Sequence, residues 1–160
     1  TTVHTLRFIL LNLLRHPDQR AQVRADPTLA RAAMDETLRF DHFNKFGTPA
    51  YALADLTIGG VPIAKGKTLL PMRAAAARDP AVFAEPDRFD IHRADLEATH
   101  NFGLGPHTCL GAHLARLEAE VIIPTILAEH PDMQLAGPPE FSPHLFFRVM
   151  TRLPVQLHPS

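Results

Sequence analysis

The chain has 160 residues, 46% of them hydrophobic and 21% charged, with a formal net charge of −1 and a single cysteine. That length suits one ordinary domain able to bury a core, and the near-neutral balance excludes a disordered tail or a strongly basic nucleic-acid binder. One cysteine excludes an internal disulfide framework and fits a reducing, cytoplasmic compartment.

Thr1 to His16 reads as a helix, with Leu6, Ile9, Leu10, Leu13 and Leu14 on one face and Pro17 as its stop. Phe8 and Leu11 widen the apolar surface, so this helix is expected to be buried on more than one side. The stretch Val3–Leu14 is too short to span a bilayer, and it lacks the basic leader and cleavage site of a signal peptide. No membrane association is expected.

A short helix follows over Asp18–Ala25. Asp26-Pro27 then places a cap and a first-position proline before the next helix, where Leu29, Ala32, Ala33, Glu36 and Phe40 share a stripe. Glu36 therefore points inward with the apolar residues, and Arg39, three positions on, is within its reach. A buried pair loses hydration and needs further partners, so a third charged group is expected beside it.

Past Phe40 the pattern shortens to strands at Tyr51–Leu53, Leu56–Ile58, Val61–Ile63 and Thr68–Leu70, with Gly59-Gly60 as a hairpin turn. Arg73–Ala77 suits a short helix, and Asp90–His100 a polar loop. Pro124 is expected to kink or end the helix that starts after Cys109. Strands are expected at Met133–Leu135, Leu145–Val149 and Leu153–Leu157. The fold class is thus mainly α with small β-sheets.

Chemistry concentrates in Asn101–Glu120, NFGLGPHTCLGAHLARLEAE. Cys109 lies where a glycine-rich loop hands over to a helix with Leu110, Leu114, Leu117 and Val121 on one stripe, near unpaired N–H groups and the positive dipole end that favour a thiolate. Four readings compete: a small buried hydrophobe, a nucleophile with His107 or His113 as base, a zinc ligand with those histidines, and the axial ligand of a haem iron.

The flanking residues Phe102, Gly103, Gly105, His107, Cys109, Gly111, Leu114, Ala115 and Arg116 spell F-G-x-G-x-H-x-C-x-G-x-x-L-A-R. This resembles, position by position, the haem-binding signature of the cytochrome P-450 family, the haem-thiolate monooxygenases. The resemblance implies haem b bound by Cys109, with Gly103, Gly105 and Gly111 letting the macrocycle approach the backbone. Phe102 would shield the sulfur, Ala115 would lie against the haem, and His107 would donate to a propionate.

Other segments fit the same family. Thr1-Thr2 looks like the end of its A/G-G-x-D/E-T-T motif, which would make Thr1 the distal alcohol assisting proton delivery. Pro86-Asp87-Arg88-Phe89 fits its P-x-R-F stretch, so Arg88 would join Glu36 and Arg39 in a structural lock. The sequence departs from the family at Ala50, where a propionate-binding basic residue commonly falls; either His107 and residues outside this chain hold the propionates, or the register there differs.

The resemblance further implies the C-terminal, haem-ligating part of a soluble bacterial-type monooxygenase, incomplete here or completed by an N-terminal portion as a separate chain. Its partners would be a small organic substrate, with Leu145 and Phe146 at the pocket, and a ferredoxin- or flavodoxin-type electron donor. That donor would dock on a basic face built from Arg73, Arg78, His113 and Arg116. A haem-binding fragment without catalysis is the alternative.

Overall fold

A computed structural model describes residues 1–158; Pro159 and Ser160, the end of the expected C-terminal strand region, lie outside the described residues. The helices are α1 (Thr2–Arg15), α2 (Pro17–Ala25), α3 (Ala30–Phe40), α4 (Arg73–Ala76) and α5 (Ala112–Glu129). None is long and apolar enough to cross a membrane.

Helix boundaries follow local chemistry. His16 caps the end of α1, and Pro17 opens α2, where its missing N–H costs nothing. Asp26 accepts from the Thr28 N–H at 3.0 Å, capping a single 3-10 turn, Pro27–Leu29, that leads into α3.

The main core joins Ile9 and Leu13 of α1, Val23 of α2, Ala33, Met34 and Leu38 of α3, and Ala119, Ile123 and Leu127 of α5, closed by Phe89 and Ile91. A second cluster, Phe8, Leu11 and Met150, packs on the opposite side of α1. Two-sided burial of α1 matches its wide apolar surface. Each fully buried Leu, Ile or Phe side chain contributes about 1.5–3 kcal/mol.

Among the described residues the sheets are four antiparallel pairs of short strands. β1 (Ala50–Tyr51) pairs with β4 (Thr68–Leu69), β2 (Leu56–Ile58) with β3 (Val61–Ile63), β5 (Gln134–Leu135) with β8 (Val155–Gln156), and β6 (Glu140–Ser142) with β7 (Val149–Arg152). Gly59 and Gly60, at φ 56° and 81°, form the two-residue turn of the β2–β3 hairpin.

Four expectations change. Of the kink or end expected at Pro124, the end does not occur: helix α5 continues through it, and Ile123 and Leu127, packed in the main core on either side, hold the helix together across the lost N–H. Its buried side carries Ala112, Ala119, Ile123 and Leu127, while Leu110, Leu114, Leu117 and Val121, the expected stripe, are exposed. Apolar residues surround α5, so periodicity alone could not choose its inner face.

Third, the strand expected at Leu145–Val149 starts only at Val149. Leu145 and Phe146 lie on the exposed bend between β6 and β7, with His144 Nδ1 accepting from the N–H groups of Phe146 and Phe147. Fourth, β6 escaped the sequence reading because three residues between prolines carry no usable alternation.

Candidate functional site

Glu36 and Arg39 sit one turn apart on the inner face of α3, both with fully buried side chains. Arg39 Nε and Nη2 donate to the two carboxylate oxygens of Glu36 at 2.7 and 2.8 Å. The remaining Arg39 donors reach the carbonyls of Ala77 at 3.0 Å, Pro86 at 2.9 Å and Arg88 at 3.1 Å. Asp90 N–H donates to Glu36 Oε1 at 2.8 Å. The fork thus clamps α3 to the loop that carries the chain toward Cys109.

The third charged group is not the Arg88 side chain. Arg88 points outward to Asp90 and Glu85, and contributes only its carbonyl. Arg93 takes the place: its side chain is 5% exposed, with Nε 3.5 Å from Glu36 Oε2. Arg93 also donates to the carbonyls of Ala84, Glu85 and Arg88, tying the loop back on itself. Reading P-x-R-F alone pointed to Arg88; only the path of the loop backbone shows that Arg93 turns inward.

Cys109 is exposed, which removes the buried-hydrophobe reading. It lies two residues ahead of Gly111, the N-cap of α5, and its N–H donates to the Phe102 carbonyl at 2.8 Å. Gly103 (φ 81°) and Gly105 (φ 69°) supply left-handed turns that an L side chain would strain. Gly111 has an ordinary backbone, and a Cβ there would stand 4.0 Å from the Cys109 sulfur. So Gly103 and Gly105 shape the bend, while Gly111 leaves room beside the sulfur.

No group of three His, Cys, Asp or Glu side chains able to hold a metal occurs among the described residues, so His107, Cys109 and His113 do not form a zinc site. The Cys109 thiol makes no hydrogen bond with either histidine among the described residues, and the nucleophile reading loses its base.

Two cavities meet at Cys109. The first, about 390 Å³, is bounded by Thr1, Thr2 and Thr5 of the α1 end, Phe43 and Asn44, Phe102, Cys109 and Gly111, Leu114 and Ala115 of α5, and Phe147. Its walls are largely apolar, with hydroxyls on the α1 side, the thiol on the bend, and His42, Arg73 and Asn101 as the further polar lining. Thr1 makes no capping side-chain hydrogen bond to α1, so its hydroxyl is uncommitted by the helix. The second cavity, about 650 Å³, runs past Cys109 to His107, His100, Met72 and Arg73. Ala50 lines neither.

Phe147, missed in the sequence, bounds the cysteine cavity and bridges to Asn44. Leu145 and Phe146 do not reach it, and Phe146 packs on Phe46 at 5.6 Å between ring centroids. The expected basic docking face is also not assembled. Arg78 turns onto Phe40, 4.0 Å from the ring centre, and Arg116 onto Phe102 at 4.6 Å. Arg73 turns into the second cavity, leaving His113 alone exposed.

Residues 1–131 match the family model described as Cytochrome P450.

The chain belongs to the cytochrome P450 family.

Among curated relatives it is 44% identical over 160 residues to the epothilone C/D epoxidase of Sorangium cellulosum, covering all of this chain and 38% of that protein. It is 39% identical over 156 residues to the biotin biosynthesis cytochrome P450 of Bacillus subtilis strain 168, covering 97% of this chain and 39% of that one. The solved structure of epothilone B-bound cytochrome P450epoK superposes with a TM-score of 0.94 at 44% identity, over the whole of this chain and 40% of that chain. The chain therefore spans about two fifths of the length of these P450 relatives. Cytochromes P450 bind haem b, and the residues here fit that group: a single exposed thiol on a glycine bend, with no competing metal cluster among the described residues.

Proposed function

We propose that this chain is the C-terminal, haem-ligating portion of a P450 monooxygenase acting on a small organic substrate, in which Cys109 would hold the haem iron through its sulfur. The supporting observation is the cavity in which the Cys109 bend, the Phe102–Ala115 wall and the Thr1 end of α1 converge. When bound, haem supplies reductive activation of dioxygen for insertion of one oxygen atom, and a thiolate ligand favours O–O cleavage.

The chain's own residues prepare that chemistry. Phe102, held under the Arg116 guanidinium, lines both cavities with Cys109 and would shield the sulfur once haem is bound. His107, which lines the second cavity, would donate to a propionate. Thr1 lines the same cavity as Cys109, and its hydroxyl would relay protons there when haem is bound. Ala115 and Leu114 give the cavity an apolar floor. Electrons would arrive from a ferredoxin- or flavodoxin-type donor, and a soluble, cytoplasmic setting accords with the lone unpaired cysteine.

The test is the spectrum of reduced, haem-loaded protein under carbon monoxide. A strongly red-shifted Soret band that Cys109→Ser abolishes is expected; a band at the histidine-ligated position, indifferent to that substitution, overturns the reading.

A second reading is a haem-binding portion that does not turn over by itself. The exposed stripe Leu110, Leu114, Leu117 and Val121 favours it, since bare apolar surface of this kind ordinarily meets other protein. Oxygenation of any substrate by the isolated chain would refute it.

A further inference from the structure

Haem b carries two carboxylates, and the position expected to supply a basic partner from the small sheet holds Ala50, which is exposed and lines neither cavity. We propose that Arg73, at the start of α4, takes one haem propionate in its place, opposite His107. The proposal rests on the haem-thiolate reading above.

Arg73 is the one lysine or arginine, among the described residues, that lines the two cavities meeting at Cys109, and it lines both. No aspartate or glutamate lines either cavity, and Arg73 has no ion-pair partner among the described residues. One nitrogen, Nη2, donates to the carbonyls of His100 at 2.7 Å and Asn101 at 2.8 Å. Those bonds pin the guanidinium against the loop that leads into Cys109. Nε and Nη1 make no hydrogen bond among the described residues, so their N–H groups and the guanidinium charge remain for an anion.

The neighbouring imidazole cannot do this work as a cation. His42 lines both cavities and is 6% exposed, with its Nδ1 accepting from the Asn44 N–H at 3.0 Å. Burial, and then the Arg73 charge, keep it neutral. An isolated, partly buried guanidinium facing a carboxylate-free cavity fits an anionic ligand edge, and a buried unpaired charge is costly unless such a ligand meets it.

The test compares haemin with haemin dimethyl ester, whose propionates carry no charge, by titrating each into the full chain and into Arg73→Met and Arg73→Lys variants. Arg73→Met is expected to weaken haemin binding about tenfold or more, the size of a lost charge-assisted hydrogen bond. Ester binding should be unchanged, and Arg73→Lys should keep most of the haemin affinity. Equal losses for haemin and ester would mark Arg73 as a brace for the His100–Asn101 loop, and overturn the proposal, as would no loss for either. Both of those results leave thiolate ligation standing if the red-shifted carbon monoxide band persists. Failure of the unsubstituted chain to take up haemin would overturn this proposal and the haem reading together.

Discussion

Arg39 grips both carboxylate oxygens of Glu36 in a site that water does not reach, and three backbone carbonyls share the same guanidinium. Removing one partner strands the other charge in the interior. Arg39→Met is therefore expected to cost about 3–5 kcal/mol, measured by urea unfolding. Arg39→Lys should fare little better, because one ammonium cannot replace the fork. A loss under 1 kcal/mol for Arg39→Met would mean the pair is not holding α3 to the loop.

Arg88 and Arg93 should separate cleanly in the same assay. Arg88→Met touches an exposed side chain and is expected within about 0.5 kcal/mol of the parent. Arg93→Met removes a buried cation from Glu36 and three carbonyl contacts, and should cost several times more. The reverse order would restore Arg88 to the lock.

His42 sets a pH dependence. Burial, reinforced by the Arg73 charge and partly offset by the Asn101 backbone, pushes its pKa from 6.5 down to about 4. In that window the unfolded chain binds the proton and the folded chain does not. The stability tied to neutral His42 is therefore complete above pH 6.5 and lost as pH falls toward 4. The drop is at most about 3 kcal/mol. Against a His42→Asn variant, urea unfolding of the haem-free chain should show this extra acid loss; parallel curves for the two proteins would count against a buried neutral imidazole.

The bend before Cys109 distinguishes its glycines. Gly103→Ala forces an L residue to φ 81° and is expected to cost about 1–2 kcal/mol and to weaken haemin uptake. Gly111→Ala meets no strain, and its new Cβ would sit at ordinary contact distance from the sulfur, so the fold should be nearly unaffected. Comparing thermal midpoints and haemin titrations for the two variants checks this; equal destabilisation would show that backbone conformation is not what Gly103 supplies.

Much of this was legible in the residues themselves. Pro17, Asp26-Pro27 and Gly59-Gly60 act through local sterics and capping, so the ends of the first helices and the β2–β3 hairpin could be read directly. Glu36 revealed itself by standing on an apolar stripe. What escaped depends on contacts distant in sequence. Arg93 was hidden because a loop's path decides which arginine turns inward. The inner face of α5 was hidden because its apolar residues go all the way round. Phe147 rather than Leu145 or Phe146 meets the cavity because the bend after β6 rotates the chain past the expected strand start. Arg73 looked like part of a docking face until the cavity it enters was visible.

The most direct examination of Cys109 is X-ray absorption at the iron edge of the haem-loaded chain and of its Cys109→Ser variant. A sulfur atom in the first coordination shell of the parent, gone in the variant, is the expected result. A shell of nitrogen or oxygen alone, identical in both proteins, would contradict ligation of iron by this cysteine.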